Sequence, residues 1–293
     1  MKQHLKGELI LAFVTLCWGC SYILIDVCLE ELETFGLNAL RFSAAFLVTL
    51  LFILPTIKTL TKTTIKFAFF TAVSLFFAYI GATLGVQYTS LSNAGFMCCI
   101  SCIFTPIIVY FVYRRRPNKK FVFVLLLCLA GAALLTLKDG FHMAPGDIFS
   151  LMCSVGYAVD LVITEAAVKK PDVNPLHLGV FQLGFVAVFF IILSRFMGQS
   201  MIAHQGKTWI AVMVLATLCT GVAFVCQAIS QQYTTASRAG IIITLEPVFS
   251  AIVAFIFAGE ILMFRSYVGA GLMLASLFIM EIDFKTLFKG RRK

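Results

Sequence analysis

Long apolar runs separated by short polar stretches dominate the pattern along the chain. A helix needs roughly 20 apolar residues to cross the ~30 Å hydrocarbon core of a bilayer. Measured against that length, the pattern predicts ten membrane-spanning helices, numbered in chain order, at about residues 8–28, 36–55, 66–87, 93–113, 119–137, 146–166, 176–197, 207–228, 236–258 and 264–282. The predicted fold is an all-α polytopic membrane protein.

Composition agrees with lipid as the main solvent. Of 293 residues, 60% are hydrophobic and only 13% are charged, whereas soluble domains carry roughly 25% charged residues. The first run resembles a signal peptide because Lys2 and Lys6 precede it. It is too long for one, has no small-x-small cleavage site, and carries Trp18 and Asp26, so we expect it to remain as helix 1.

The net charge of +9 arises from basic residues that cluster between the apolar runs. With the amino terminus in the cytoplasm, eighteen Lys and Arg residues fall inside and four outside, while Arg41 lies within helix 2. This asymmetry is a topology signal rather than a nucleic-acid surface. We therefore expect a multi-pass protein of the cell membrane with both termini cytoplasmic, a basic cytoplasmic tail at 283–293, and no nucleic-acid partner.

Cysteine and histidine placement gives no sign of a metal site or a cofactor. All ten Cys lie in apolar runs, where Cys packs as a small hydrophobic residue. No His or carboxylate accompanies the two C-x-x-C spacings in a ligand pattern. Nucleotide-binding, metalloprotease and serine-hydrolase motifs do not occur, so a polytopic membrane enzyme is the least favoured alternative.

The chain repeats itself weakly. Gly146-Asp147 follows Gly7-Glu8 at an offset of 139, and the stretches 88–95 and 233–240 match at an offset of 145. The pattern predicts two five-helix repeats, residues 8–137 and 146–281. Because five is odd, the second repeat enters the membrane inverted, which is an architecture of alternating-access carriers with a site near the midplane.

Several strings in both halves resemble the EamA family of the drug/metabolite transporter superfamily; they are residues 17–22, 93–106, 236–240, 245–249 and 259–260. The resemblance implies a ten-helix carrier of small metabolites, often an exporter, and leaves the substrate open. One departure is the sequence Arg114-Arg115-Arg116-Pro117, where the family usually has G-E-R-P.

Glu246 is the most prominent ionisable residue within a predicted span, and such residues are functional hypotheses by default. Ten residues of helix place it about 15 Å deep, near the midplane. Pro247 cannot form the backbone hydrogen bond at that level, which exposes a carbonyl one turn earlier. We expect a site for a cation or a proton, with a structural acid as the alternative.

Two polar stripes at helical spacing favour a cavity over helix packing; they are Thr15, Trp18, Tyr22 and Asp26 in helix 1, and Ser154, Tyr157, Asp160 and Thr164 in helix 6. The candidate substrate-binding or coupling residues are Glu246, Trp18, Tyr22, Tyr157, Asp160, Ser154 and Asn93. Trp18 and Tyr157 offer a cation–π wall to an ammonium group. The alternative is that both rings only pack.

Four further residues are candidates for gates. Asp26 and Arg41 suggest an outer pair, although snorkelling of Arg41 is an equal alternative. Glu165 and Gln182 are the inner counterparts.

The sequence thus predicts a secondary transporter of a small metabolite, an amino-acid-like solute, an amine or a related compound, most plausibly an exporter. Protons are the candidate coupling ion, and the lipid bilayer is the other partner. Because both halves lie in one polypeptide, we expect a monomer. A passive facilitator or a membrane sensor is the alternative.

Overall fold

The computed structural model describes residues 3–89, 91–137, 144–258 and 263–281. Every regular element in these ranges is helical, in ten consecutive units that we label α1 to α10. Their bounds are α1 Gln3–Leu29, α2 Thr34–Ile53 with a 3₁₀ extension Leu54–Thr59, α3 Lys62–Tyr88, α4 Leu91–Cys99 and Ser101–Tyr113, α5 Lys119–Thr136, α6 Gly146–Val168, α7 Pro175–Phe196, α8 Gly206–Ser230, α9 Ala236–Ile243 and Glu246–Ala258, and α10 Phe264–Glu281.

The predicted all-α polytopic fold is confirmed. Within the described chain, nine helices are long and apolar enough to cross a membrane, and α10 adds a shorter apolar helix, Phe264–Met280. The strings at 259–260 and the tail at 283–293, which the sequence analysis singled out, lie outside the described residues.

Polar residues mark where several helices begin. The side chain of Asn118 accepts from Phe121 N at 2.7 Å at the start of α5, and Thr61 accepts from Thr64 N at 3.1 Å at the start of α3. Such caps satisfy backbone N–H groups that have no partner within the helix. They fix the ends of spans whose interiors are almost uniformly apolar.

Helix packing pairs the two halves of the chain. Several contacts between the halves have a counterpart when the halves are exchanged. The α3–α6 contact corresponds to α8–α1, the α3–α7 contact to α8–α2, and the α4–α6 contact to α9–α1. The pairs α2–α7, α4–α9 and α5–α10 map onto themselves when the halves are exchanged. The central bundle therefore consists of α1–α4 and α6–α9.

Helices α5 and α10 pack mainly against each other at the side of this bundle. Gly131 and Gly269 lie at their crossing, where a Cβ on Gly131 would lie 2.7 Å from the carbonyl oxygen of Gly269. Small residues permit such close approach of membrane helices. These two helices therefore lie beside the central bundle of the other eight.

Candidate functional site

The site is centred on a hydrogen bond between α1 and α9. The hydroxyl of Tyr22 donates to Glu246 Oε1 at 2.7 Å. Glu246 opens the second segment of α9, directly after the break at residues 244–245, and its other oxygen has no hydrogen-bond partner in the described chain. A carboxylate with one oxygen free can accept a proton or bind a cationic group.

Exposure changes sharply along one face of α1. Thr15 is fully buried and Trp18 is 7% exposed, whereas Tyr22, one turn further, is 42% exposed and Asp26 is exposed as well. Tyr22 contacts α9 through Glu246. The connections next to this end of α1 also meet, since Glu31 Oε1 accepts from Gln205 N at 3.2 Å. We infer from the exposure of Tyr22 and Asp26 a cleft beside α9, and we call the end of the bundle at Asp26 the open end.

The opposite end of the bundle is closed by polar contacts, and we call it the closed end. Glu165, 1% exposed, forms ion pairs with Lys169 and with Arg115 at 3.3 Å, and its Oε2 accepts from Ala236 N at 2.7 Å. Arg238 Nε donates to Glu8 Oε1 at 2.7 Å. These contacts join the ends of α4 and α6 to the starts of α1 and α9.

The difference between the two ends is also visible in helix packing. α6 packs against the first segment of α9 at the closed end. The equivalent pair in the other half is α1 with α4, and these helices form no comparable contact within the described residues. The two halves are therefore related in topology but not in conformation.

A buried amide network surrounds Asp160 of α6. Asp160 is fully buried, and its oxygens accept from Gln227 Nε2 at 3.0 Å and from Gln182 Nε2 at 3.3 Å. Gln227 Oε1 in turn accepts from the hydroxyl of Tyr157 at 2.9 Å. The network ties α6 to α7 and α8, and Gln182 bonds to Asp160 rather than to Glu165.

Trp18 is buried one turn before Tyr22 on the same face of α1. Its indole N–H donates to the Cys219 carbonyl at 3.0 Å, and its ring meets Tyr157 edge-on with centroids 5.9 Å apart. Both rings thus have a fixed orientation. Tyr157 is half-buried, so the aromatic wall is only partly accessible.

Ser154 belongs to the α4–α6 contact. Ser154 is buried and its hydroxyl donates to the Met97 carbonyl and to the Ser150 carbonyl, the latter at 3.2 Å. This places Ser154 in helix packing. Asn93 lies in the first segment of α4, and its side chain is outside the described residues.

Arg41 pairs with α8 and not with Asp26. Its Nε and Nη2 donate to Thr220 Oγ1 at 3.1 and 2.9 Å, and Nη2 reaches the Tyr79 hydroxyl at 3.5 Å. Depth explains the difference, because Arg41 lies seven residues into α2, or about 10 Å from its start, whereas Asp26 lies in the last turn of α1. Arg41 is 4% exposed, so it does not snorkel to the surface.

Sequence reasoning missed Tyr79 and Thr220. Thr220 lies in a π-helical turn of α8, Thr217–Val222. Such turns occur often at functional sites, but no residue type in this stretch predicts a π-helical turn. Among the described residues no group of three or more His, Cys, Asp or Glu side chains is placed to hold a metal ion.

Comparison with known proteins agrees with this architecture. Residues 5–137 and 144–282 each match the EamA-like transporter family. An uncharacterized transporter of Archaeoglobus fulgidus is 29% identical over 282 residues, covering 96% of this chain and 87% of the relative. The uncharacterized transporter YetK of Bacillus subtilis is 24% identical over 299 residues, and the alignment covers 97% of this chain and 89% of YetK.

A solved structure titled only "Crystal structure of protein" has the same fold. It superposes on this chain with a TM-score of 0.82 and 17% sequence identity, and the superposition covers 96% of this chain and 98% of the solved one. At that identity the likeness concerns the fold alone.

Proposed function

We propose a secondary-transport function for this chain, which belongs to the EamA-like transporter family and is a membrane transporter. The proposed cargo is a small metabolite with an ammonium group, such as an amino-acid-like solute or an amine, and the proposed direction is export. Its cycle alternates access about a midplane site between two inverted repeats, residues 8–137 and 146–281.

The observation that carries the proposal is the Tyr22–Glu246 contact, which lies between an end where Asp26 is exposed and an end where Glu165 is buried. The hydroxyl of Tyr22 holds one carboxylate oxygen at 2.7 Å and leaves the other free for a ligand. In a low-dielectric site a carboxylate attracts a cation much more strongly than it does in water. An ammonium group or a proton fits this position, and binding of the two would then be mutually exclusive.

The second state of the cycle follows from exchanging the conformations of the halves. Asp26 is equivalent to Glu165, and the start of α4 is equivalent to the start of α9 at Ala236. In the exchanged state Asp26 would hold the start of α4 as Glu165 now holds Ala236. Inverted repeats provide such a pair of states without any new fold.

The charge asymmetry supports the proposed orientation. With eighteen basic residues on one side and four on the other, the positive-inside rule favours an orientation with the closed end inside and the open end outside. We propose that the protein lies in the cell membrane with both termini cytoplasmic and works as a monomer. A solute released from this conformation leaves on the outer side, in keeping with export.

Reconstitution into proteoliposomes tests this function. The probes are the L-amino acids and their decarboxylated amines, with and without a pH gradient across the vesicle membrane. We expect at least one probe to accumulate against its own gradient when the pH gradient is present. Equilibration without accumulation would indicate a passive facilitator, and flux equal to that of empty liposomes for every probe would contradict the proposal.

A further inference from the structure

Arg41 is a buried cation without an ion-pair partner. It lies in α2, is 4% exposed, and takes part in none of the ion pairs of the described residues. An isolated charge inside a membrane protein is costly unless it is stabilised or needed. Its retention at this depth needs an explanation in the function of the chain.

The guanidinium is held in a fixed orientation by its neighbours. Thr220 donates its own hydroxyl proton to the Leu215 carbonyl at 2.9 Å, so its Oγ1 can only accept from Arg41. The Phe42 and Tyr79 rings each lie with their centroid 5.4 Å from the guanidinium carbon. Two of the three guanidinium nitrogens are therefore engaged by neutral oxygens.

The third nitrogen, Nη1, donates to no acceptor in the described part of the chain. A planar guanidinium with a free edge is suited to bind an oxyanion. The π-helical turn Thr217–Val222 brings Thr220 to this position, and the turn has no counterpart among the described helices of the first half. The arrangement is that of a pre-oriented anion-binding group.

Packed rings connect Arg41 with the Tyr22–Glu246 contact. The Tyr79 ring, 5.4 Å from the guanidinium carbon, meets Phe224 with centroids 6.4 Å apart. Phe224 in turn meets Trp18, one turn before Tyr22, at 5.3 Å. Yet Arg41 and Glu246 form no hydrogen bond with each other, and Glu246 is bonded to Tyr22 instead. A positive group and a negative group that remain apart in one site can bind the two ends of a zwitterion.

We infer that Arg41 is a specificity-determining residue that binds a carboxylate of the solute while Glu246 binds its ammonium group. This inference rests on the proposed transport function and narrows its substrate class from amines in general to solutes with both groups. A phosphate ester fits less well, because its second negative charge would be repelled by Glu246.

Binding to the purified protein in nanodiscs tests the inference independently of transport. The probes are neutral L-amino acids, each with its decarboxylated amine and its des-amino carboxylic acid, and the readout is the dissociation constant of each. We expect wild-type protein to bind one amino acid more tightly than its amine by roughly 10- to 100-fold, as a charge-assisted hydrogen bond predicts.

The variants separate binding from a structural role. Arg41→Gln should bind the amino acid only as tightly as the amine, and its affinity for the amine should be almost that of the wild type. Arg41→Lys should have an affinity for the amino acid between those of Arg41→Gln and the wild type. Thr220→Val keeps the side-chain shape and should lose part of the same preference. Arg195→Gln, at an exposed arginine of α7, is the control.

Three results would overturn the inference. The first is that the wild-type protein binds the amino acid and its amine with equal affinity. The second is that Arg41→Gln and Thr220→Val lose affinity for the amino acid and for the amine to the same extent. The third is that the wild-type protein binds none of the probes. If proteoliposomes nevertheless accumulate an amine, the transport function stands and only the role of Arg41 fails. If the proteoliposomes show no flux of any probe, the proposed transport function is contradicted as well.

Discussion

Gly95 and Gly240 occupy equivalent positions in α4 and α9, but their surroundings differ. A Cβ on Gly95 would meet no atom of the described chain within 4 Å, whereas one on Gly240 would lie 3.2 Å from Thr105 Oγ1. The residues match in sequence at the offset that relates the two repeats. The same position is therefore open in one half and packed in the other.

This difference predicts the accessibility of introduced thiols. In a cysteine-free background, Gly95→Cys should react with an impermeant maleimide added outside intact cells, because its side chain would enter the cleft. Gly240→Cys lies near the inner end, and it should react slowly with the same reagent in inside-out vesicles, because its side chain would be packed against α4. The measurement is the labelled fraction against time.

The matched pair provides its own control, since each variant introduces the same thiol at an equivalent depth. Faster labelling of Gly240→Cys in inside-out vesicles than of Gly95→Cys in intact cells would contradict the open and closed ends assigned to the bundle.

Glu165 is predicted to stabilise the closed end. Glu165→Gln removes the charge that pairs with Lys169 and Arg115 and weakens the contact with Ala236 N. Lys169 and Arg115 are about half exposed and stay solvated, so the change removes the contacts that join this end without leaving a buried charge unpaired, and the population should shift towards opening of this end. Labelling of Gly240→Cys in inside-out vesicles should then accelerate, and labelling of Gly95→Cys from outside should slow.

Asp26→Asn is the companion change and should act in the opposite direction. It leaves the present closed end intact and weakens the contact proposed for the exchanged state. Identical effects of Glu165→Gln and Asp26→Asn on both thiols would show that the two acids do not act as opposing latches.

Topology can be tested at two exposed positions. Arg116→Cys, between α4 and α5, should be protected from an impermeant reagent in intact cells, and Ile202→Cys, between α7 and α8, should be labelled. The prediction follows from the distribution of basic residues. Permeabilised cells provide the control for reactivity, and labelling of Arg116→Cys in intact cells would reverse the orientation.

The α5–α10 crossing should be sensitive to added volume. Gly131→Val would force side-chain atoms against Met273 Cγ and the Gly269 carbonyl oxygen, which lie 2.6 and 2.7 Å from the Cβ position. Overpacking of this kind costs about 1–3 kcal/mol. We expect a lower melting temperature in detergent with specific flux retained in the folded fraction.

Gly271→Ala is the matched control, because no atom lies within 4 Å of its Cβ position. Its melting temperature should be unchanged. A normal melting temperature for Gly131→Val would mean that the two helices do not cross as closely as described.

The apolar pattern was sufficient to predict the ten spans, because lipid requires each span to satisfy its own backbone hydrogen bonds. The repeat also indicated that Asp26 and Glu165 are equivalent. The repeat could not reveal that Asp26 is exposed and Glu165 is buried. The two residues are equivalent in sequence, and their exposure differs only because the two halves have different conformations. The Arg41–Thr220 contact was hidden for another reason: it depends on a π-helical turn that the sequence does not mark.

Asp160 illustrates the same limit. Its spacing with Tyr157 predicted a stripe that faces a cavity, whereas Asp160 and Ser154 of that stripe are fully buried. Amides from α7 and α8 occupy both its carboxylate oxygens, and no periodicity within α6 predicts which side chains of other helices meet it. Long-range polar partners are set by packing, which single-sequence patterns do not encode.

The central claim is that Glu246 takes part in the transport cycle. The most direct test is pH-gradient-driven flux of the best probe in proteoliposomes containing wild-type protein, Glu246→Gln or Glu33→Gln at equal amounts of folded protein. Glu33 is exposed, and its side chain does not cap α2, so its variant is the control. We predict that Glu246→Gln loses most of the driven flux while Glu33→Gln matches the wild type. Wild-type flux in well-folded Glu246→Gln would contradict the claim and leave Glu246 a structural acid.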